Sequence, residues 1–221
     1  MEMLKAEQVY YSYQTKYQTI EAVRGISYSF ETGYMYAIVG ESGSGKSTFL
    51  SLLAGLDLPT QGKVYVSGED MAELNRDQYR RDKASVVYQS FNLFPLLTAQ
   101  ENVMFPLELK GVKRSEAKKK AAELMERVGL RKQVLSQYPQ MMSGGEQQRV
   151  AIARALASEG CILLADEPTG NLDTENERNI VRLLKETAHS LDYAVIVITH
   201  NQEVAAEADY VLRMRDGKLI N

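Results

Sequence analysis

Gly40-Glu41-Ser42-Gly43-Ser44-Gly45-Lys46-Ser47 follows the pattern G-x-x-x-x-G-K-[ST] without a mismatch. An apolar run at 35–39 precedes it, and an apolar, helix-forming stretch begins at Thr48. Strand, glycine-rich turn and helix in that order restrict the chain severely. Successive N–H groups converge at a helix amino terminus, where they and the helix dipole attract an anion. The glycines let the backbone wrap a phosphate with no side chain in the way. Lys46 is expected to reach the β- and γ-phosphates of a nucleotide, and the Ser47 hydroxyl to ligate magnesium. An ordinary glycine-rich turn would not need this spacing or these flanks.

The remaining pattern predicts an α/β fold. At 1–31 the sequence reads as antiparallel β structure, with Ile26, Tyr28 and Phe30 on one face and Ser27 and Ser29 on the other. Further apolar runs lie at 35–39, 85–88, 161–165 and 194–199. The last two lack alternation, which suits strands covered on both faces, as in a parallel sheet flanked by helices. A helix is predicted from about 171 to 188, with Ile180, Leu183, Leu184 and Ala188 on one stripe and Thr174 with Glu177 as its capping box. From 98 to about 158 only helical signals occur. Thr98 and Glu101 make a second capping box, and Pro106 is expected to break or kink the helix after it. Ala117, Ala121, Leu124 and Val128 form an apolar side that Gly129 ends. We therefore expect one domain: an α/β core at about 1–89 and 159–221, with an inserted helical subdomain at 90–142 that extends to about 158 with the helix after Ser143.

Charge and composition exclude several classes. Twenty-six basic and 29 acidic residues give −3, without the basic excess of a dedicated nucleic-acid binder. The eight basic and three acidic residues of 113–132 read as a solvated helix face. Cys161 is the only cysteine, so no internal disulfide forms, and it is expected to act as a small buried apolar residue. No apolar run approaches the ~18–20 residues of a membrane span, and the amino terminus lacks a signal pattern. The expectation is a soluble chain whose membrane role comes through a partner.

Two further segments carry chemistry. The run Ile162-Leu163-Leu164-Ala165-Asp166-Glu167 puts Asp166 at the carboxyl end of a buried strand, where open α/β sheets bind ligands. Asp166 would hold magnesium through water, leaving Glu167 as general base for an attacking water. Ser143-Gly144-Gly145-Glu146 opens a helix with a hydroxyl and two small residues, a second anion-binding surface or merely a glycine-rich cap. Two phosphate-seeking helix starts and one magnesium site suggest that one start serves a second chain's nucleotide.

These residues together resemble the ATP-binding-cassette family across essentially the whole chain. The loop at 40–47 is similar to its Walker A motif, residues 162–167 to Walker B with the catalytic glutamate, and 143–146 to the Leu-Ser-Gly-Gly-Gln signature. Met142 and Glu146 replace the leucine and glutamine of that signature. The resemblance implies ATP and Mg²⁺ as ligands. It makes Gln89 the glutamine-loop residue that contacts magnesium or water and senses the transport partner. It makes His200 the switch histidine on the γ-phosphate and sets Asp173, in Asn171-Leu172-Asp173, on a loop crossing a dimer interface. It further implies an aromatic stacked on adenine, for which Tyr13 is expected, with Tyr10, Tyr11 and Tyr17 as rivals. The cluster Phe91, Leu93, Phe94, Leu96 and Leu97 around Pro95 reads either as hinge packing or as a groove receiving a helix of a membrane permease.

The wording Asp166-Glu167-Pro168-Thr169-Gly170-Asn171-Leu172-Asp173 is similar to the MacB/LolD/FtsE-like group of transporter ATPases. That implies a P-loop NTPase of the ABC type, homodimeric with ATP, on the cytoplasmic face of the membrane. It would drive a separate permease that exports or extracts drug, peptide or lipoprotein, with a membrane-fusion or extracytoplasmic accessory protein as further partner. The alternative within the group is an ATPase relaying a signal to cell-wall or division machinery without moving cargo. The stretch after His200 is too short for the regulatory domain of many import ATPases. Nothing between Lys46 and Ser143 resembles the long coiled coils of DNA-repair relatives, and a single set of motifs argues against the twin-cassette ribosomal class.

Overall fold

The computed structural model describes residues 2–14 and 16–220. Two sheets organise them. The first is antiparallel, ordered β2-β1-β4-β5, from β1 (Glu2–Gln14), β2 (Thr19–Glu31), β4 (Gln61–Val66) and β5 (Glu69–Asp70). The second has six strands in the order β10-β9-β3-β8-β7-β6. In it β3 (Met35–Val39), β6 (Ala84–Tyr88), β7 (Ile162–Asp166), β8 (Ala194–Ile198) and β9 (Tyr210–Arg215) run parallel, and β10 (Lys218–Ile220) closes the edge antiparallel to β9.

The strands at the centre of this sheet are dry on both faces. All five residues of β3 and of β8 are buried. Alternate side chains feed opposite cores, as the two-residue period of a strand requires. Leu163, Ala165, Val195 and Val197 join the core beneath the helical region. Ile162, Leu164, Ile196 and Ile198 join the one shared with the antiparallel sheet and α1 (Lys46–Leu53), where Phe30 and Phe49 are fully buried. Burying a large apolar side chain contributes about 1.5–3 kcal/mol, so this doubly covered ladder carries a large share of the fold's apolar burial.

The middle of the chain is helical, as its sequence predicts: α3 (Ala99–Leu109), α4 (Arg114–Arg127) and α5 (Gly144–Leu156), with 3₁₀ turns at Lys132–Ser136 and Pro139–Met141. Around the sheet lie α2 (Arg76–Asp82), α6 (Thr174–Leu191) and α7 (Gln202–Ala206). Four details differ from expectation. Pro106 lies inside α3, which continues through Leu109. The cap of α6 is Asp173, accepting from the Asn176 N–H, because Glu177 accepts instead from the Asn201 amide. Met125 is fully buried on α4 where Leu124 is only partly covered. Cys161 is half-buried just ahead of β7, its thiol beside the Met3 sulfur at 3.6 Å.

The expected capping box of Thr98 and Glu101 is present at the start of α3. One turn on, Asn102 is wholly buried. Its amide donates to the carbonyls of Phe94, Leu97 and Thr98 at 3.0–3.2 Å, and its oxygen accepts from the Phe94 N–H at 2.8 Å. A single side chain thus ties the segment after β6 to α3. Asn102→Ala strips the Phe94 N–H and the Leu97 carbonyl of this partner, while the Phe94 and Thr98 carbonyls keep the N–H groups of Leu97 and Asn102; each group left unpartnered costs about 1–3 kcal/mol. We expect it to lower unfolding free energy by about 2–4 kcal/mol in urea titration; a change below about 0.5 kcal/mol would show that the segment is held otherwise.

Candidate functional site

The parallel strands end on one side of the molecule, and the chemistry-bearing residues hang from those ends. A cleft of about 730 Å³ there is lined by Tyr13, Gly40, Ser42, Gly43, Gly45, Lys46, Ser47, Thr48, Gln89, Asp166, Glu167 and His200. The loop from β3 into α1 forms its floor. Gly45 has φ +97° and a Cβ there would stand 2.0 Å from the Ala22 carbonyl, so the turn admits only glycine. Lys46 is nearly covered, its ammonium donating to the carbonyls of Gly40 at 2.9 Å and Glu41 at 2.8 Å, with the Ser44 hydroxyl at 3.4 Å.

The acids stand across from the lysine. Burial pushes the Asp166 carboxyl above its ordinary range; the Ser47 hydroxyl, donating to it, pulls the other way, the Glu167 charge adds to the rise, and Lys46 opposes it. Ser47 and Asp166 line the same cleft: a hydroxyl and a carboxylate, hard oxygen donors that suit Mg²⁺ sharing its shell with phosphates. Glu167 adopts φ +49°, its N–H donating to the Ile198 carbonyl across the sheet. That left-handed turn directs its carboxylate to His200, whose Nδ1 lies 2.9 Å from Oε1. Gln89, one residue beyond β6, donates to the Asn171 side chain at 3.3 Å, and the Asn171 amide donates back to the Gln89 carbonyl at 3.1 Å.

Among the candidate aromatics, Tyr13 reaches this cleft, its hydroxyl 3.1 Å from Thr48 Oγ1 and its ring edge-on to Tyr11 at 5.0 Å. Tyr10 lines a separate cleft between β2 and β10, and Tyr17 is exposed.

Ser143, Gly144, Gly145, Glu146 and Asp173 do not line the cleft. They lie together at the joined starts of α5 and α6. A Cβ on Gly145 would stand 2.4 Å from the Asn176 side-chain oxygen, and Asn176 in turn bonds Asp173 at 2.7 Å and receives Arg149 at 3.2 Å. Glu146 completes a capping box, accepting from the Ser143 N–H and hydroxyl, both at 2.8 Å. The glutamate in the last signature position is thus a helix cap, the same device as at Thr98. Sequence reasoning missed the Ile20, Glu21 and Ala22 wall of the cleft and the Arg149–Asn176 link, neither of which carries a motif.

The raised Asp166 pKa has a measurable consequence. The folded chain holds this proton more tightly than the unfolded chain does, so ionising it at neutral pH costs stability, a cost relieved as pH falls. In EDTA without nucleotide, Asp166→Asn is expected to melt above the wild type at pH 7. The difference should shrink as pH drops toward the ordinary aspartate value of 3.8. An equal or lower melting temperature at pH 7 contradicts this.

Comparison with known proteins agrees with this geometry. Residues 23–170 match the family described as ABC transporter. The lipoprotein-releasing system ATP-binding protein LolD of Saccharophagus degradans is 44% identical over 220 residues, covering 98% of this chain and 96% of LolD. The macrolide export ATP-binding/permease protein MacB of Hyphomonas neptunium is 43% identical over 205 residues, covering 91% of this chain but only 32% of MacB. Among solved structures, the dimeric, post-hydrolysis state of an ATP-binding cassette bound to ADP and phosphate superposes with TM-score 0.90 at 38% identity, over 99% of this chain and 97% of that one. The chain belongs to the ABC transporter family, as an ATP-binding cassette that hydrolyses ATP.

Proposed function

We propose that this cassette powers a separate integral membrane permease of the LolD/MacB kind, exporting or extracting a drug, peptide or lipoprotein. It would be held to the cytoplasmic face of the membrane by that permease, with an extracytoplasmic accessory protein as further partner. Two relatives are named for lipoprotein release and macrolide export, which supports the class. Among the described residues no helix is long and apolar enough to cross a membrane. A groove of about 490 Å³ lined by Leu56, Phe94, Phe105, Pro106 and Leu109, beside the Gln89 loop, is where the permease docks. We read residues 90–158 as the subdomain that carries this groove and the signature, and 1–89 with 159–221 as the catalytic core.

The observation that carries the reading is the opposition, in one cleft, of Lys46 to the Glu167–His200 pair. Lys46 exchanges its loop carbonyls for β- and γ-phosphate oxygens and neutralises charge that grows in the transition state. Ser47, directly, and Asp166, through water, would hold Mg²⁺, and the ion when bound would supply positive charge that withdraws electron density from the phosphates. Gln89 would add a ligand to that ion or orient the water. Glu167 takes the proton of the attacking water. His200 leaves its resting contact with Glu167 to hold the γ-phosphate. Tyr13 stacks on adenine, and the N–H groups of residues 40–48 wrap the phosphates.

Ser143, Gly144, Gly145 and Glu146 serve the nucleotide of a second copy, with Asp173 at the interface, in a two-fold homodimer formed with ATP. The dimeric relative supports this arrangement.

Glu167→Gln is expected to keep ATP binding, to lose turnover by at least about 10²-fold, the usual scale of general-base removal, and to run as a dimer with ATP in size-exclusion chromatography. Wild type with ADP should stay monomeric, and adding Ser143→Arg should abolish the dimer. Wild-type turnover in Glu167→Gln protein would remove Glu167 from its role; a monomer with ATP even beside the permease would refute the shared site. Lys46→Ala should lose binding and turnover together, whereas His200→Ala should lose turnover with ATP binding nearly intact. Normal turnover in His200→Ala would make that histidine incidental.

A further inference from the structure

The permease groove carries a cation without a counter-ion. Arg154 of α5 lines it beside Phe94, with its guanidinium 5.7 Å from that ring. No carboxylate among the described residues pairs with it, and burial pulls its pKa down. The other charged groups there are Asp77, Arg80 and Arg81. Asp77 is matched by Arg80, and Arg81 by Asp82, so the groove keeps a surplus positive charge at Arg154. Around that charge the surface is apolar and open: Phe94 and Phe105 rings lie 4.7 Å apart, and Leu109 is 57% exposed.

Arg154 also grips the Gln89 loop. It donates to the Asn92 carbonyl at 2.7 Å and the Phe91 carbonyl at 3.2 Å. Phe91 and Asn92 have φ of +62° and +47°, two consecutive non-glycine residues in the left-handed region. Such backbone persists only when its surroundings hold it. The guanidinium fork is suited to both tasks, since two N–H groups hold the loop while others face the groove.

Resting on the reading that the permease docks here, we propose that Arg154 is the receptor for a carboxylate on the docked helix, and that the pairing is read at Gln89 through Phe91 and Asn92. The partner segment is a short amphipathic helix with an apolar face against Phe94, Phe105 and Leu109 and an Asp or Glu within one turn of that contact. Seating an apolar helix strips water from the guanidinium. An acid then compensates the lost hydration, while a neutral or basic helix leaves a buried unpaired charge and is rejected.

The test uses the full chain in membranes of its own host. Leu109 is replaced by p-benzoyl-phenylalanine, cross-linked by light, and the captured peptide is identified by mass spectrometry. A segment of an integral membrane protein with an acid within one turn of the cross-link is expected. Reversing that acid to Arg should cut co-purification of the cassette at least about tenfold, the scale of about 1.4 kcal/mol. Arg154→Gln, which keeps N–H donors for the loop and loses the charge, should keep its melting temperature and still release the permease. A membrane segment without an acid, or wild-type binding by Arg154→Gln, overturns the charge pairing and leaves the docking reading standing. Failure to capture any integral membrane protein overturns both.

Discussion

The groups assigned to the phosphates, the magnesium and the attacking water in one chain's own cleft depend on the dry ladder of β3, β8, β7 and β6. Four parallel strands buried largely on both faces end in register, so the turns that leave them converge on one place. The phosphate loop comes after β3, Gln89 after β6, Glu167 after β7, and His200 just beyond β8. The ladder is stiff because it is covered on both sides, and that stiffness allows glycine-rich and left-handed turns to be held at its ends. Glu167 at positive φ is a strained position that a softer scaffold would relax, and Gly45 lets the loop lie close against the Ala22 carbonyl.

The two ends of the catalytic apparatus are linked within one chain. Asn171 bonds Gln89 in the cleft, and a few residues on, Asp173 and Asn176 hold the start of α5 through Gly145 and Arg149. The segment from 167 to 176 thus joins the cleft to the start of α5, the surface proposed above for the second copy's nucleotide. The Gln89 loop is held in turn by Arg154 and Asn102, which connects it to the groove proposed for the permease. The cleft and the two surfaces proposed for partners thus share a short stretch of backbone and a handful of side-chain amides.

Much of this was legible in the sequence because its signals are local. Residues 40–47 declare their own geometry, and the unbroken apolar runs of β7 and β8 require burial on both faces. Thr98 with Glu101 is a cap readable at fixed spacing. The misses arose where tertiary contacts overrode local pattern. Glu177 fits a capping box with Thr174, yet Asn201 from the other side of the site claims it. Pro106 signals a break, yet α3 continues, held by a core of Val103, Met104 and Leu107. Nothing in the sequence near Arg154 marks it, because its significance lies in carbonyls some sixty positions away.

The central claim is that a complete hydrolytic site exists only when two chains meet. The most direct measurement is ATP turnover per chain, at saturating Mg²⁺-ATP, across a wide dilution series of the purified wild-type protein. Turnover per chain is predicted to fall in proportion to protein concentration once the chain is mostly monomeric. Turnover per chain that stays constant through dilutions where light scattering finds only monomer would contradict it.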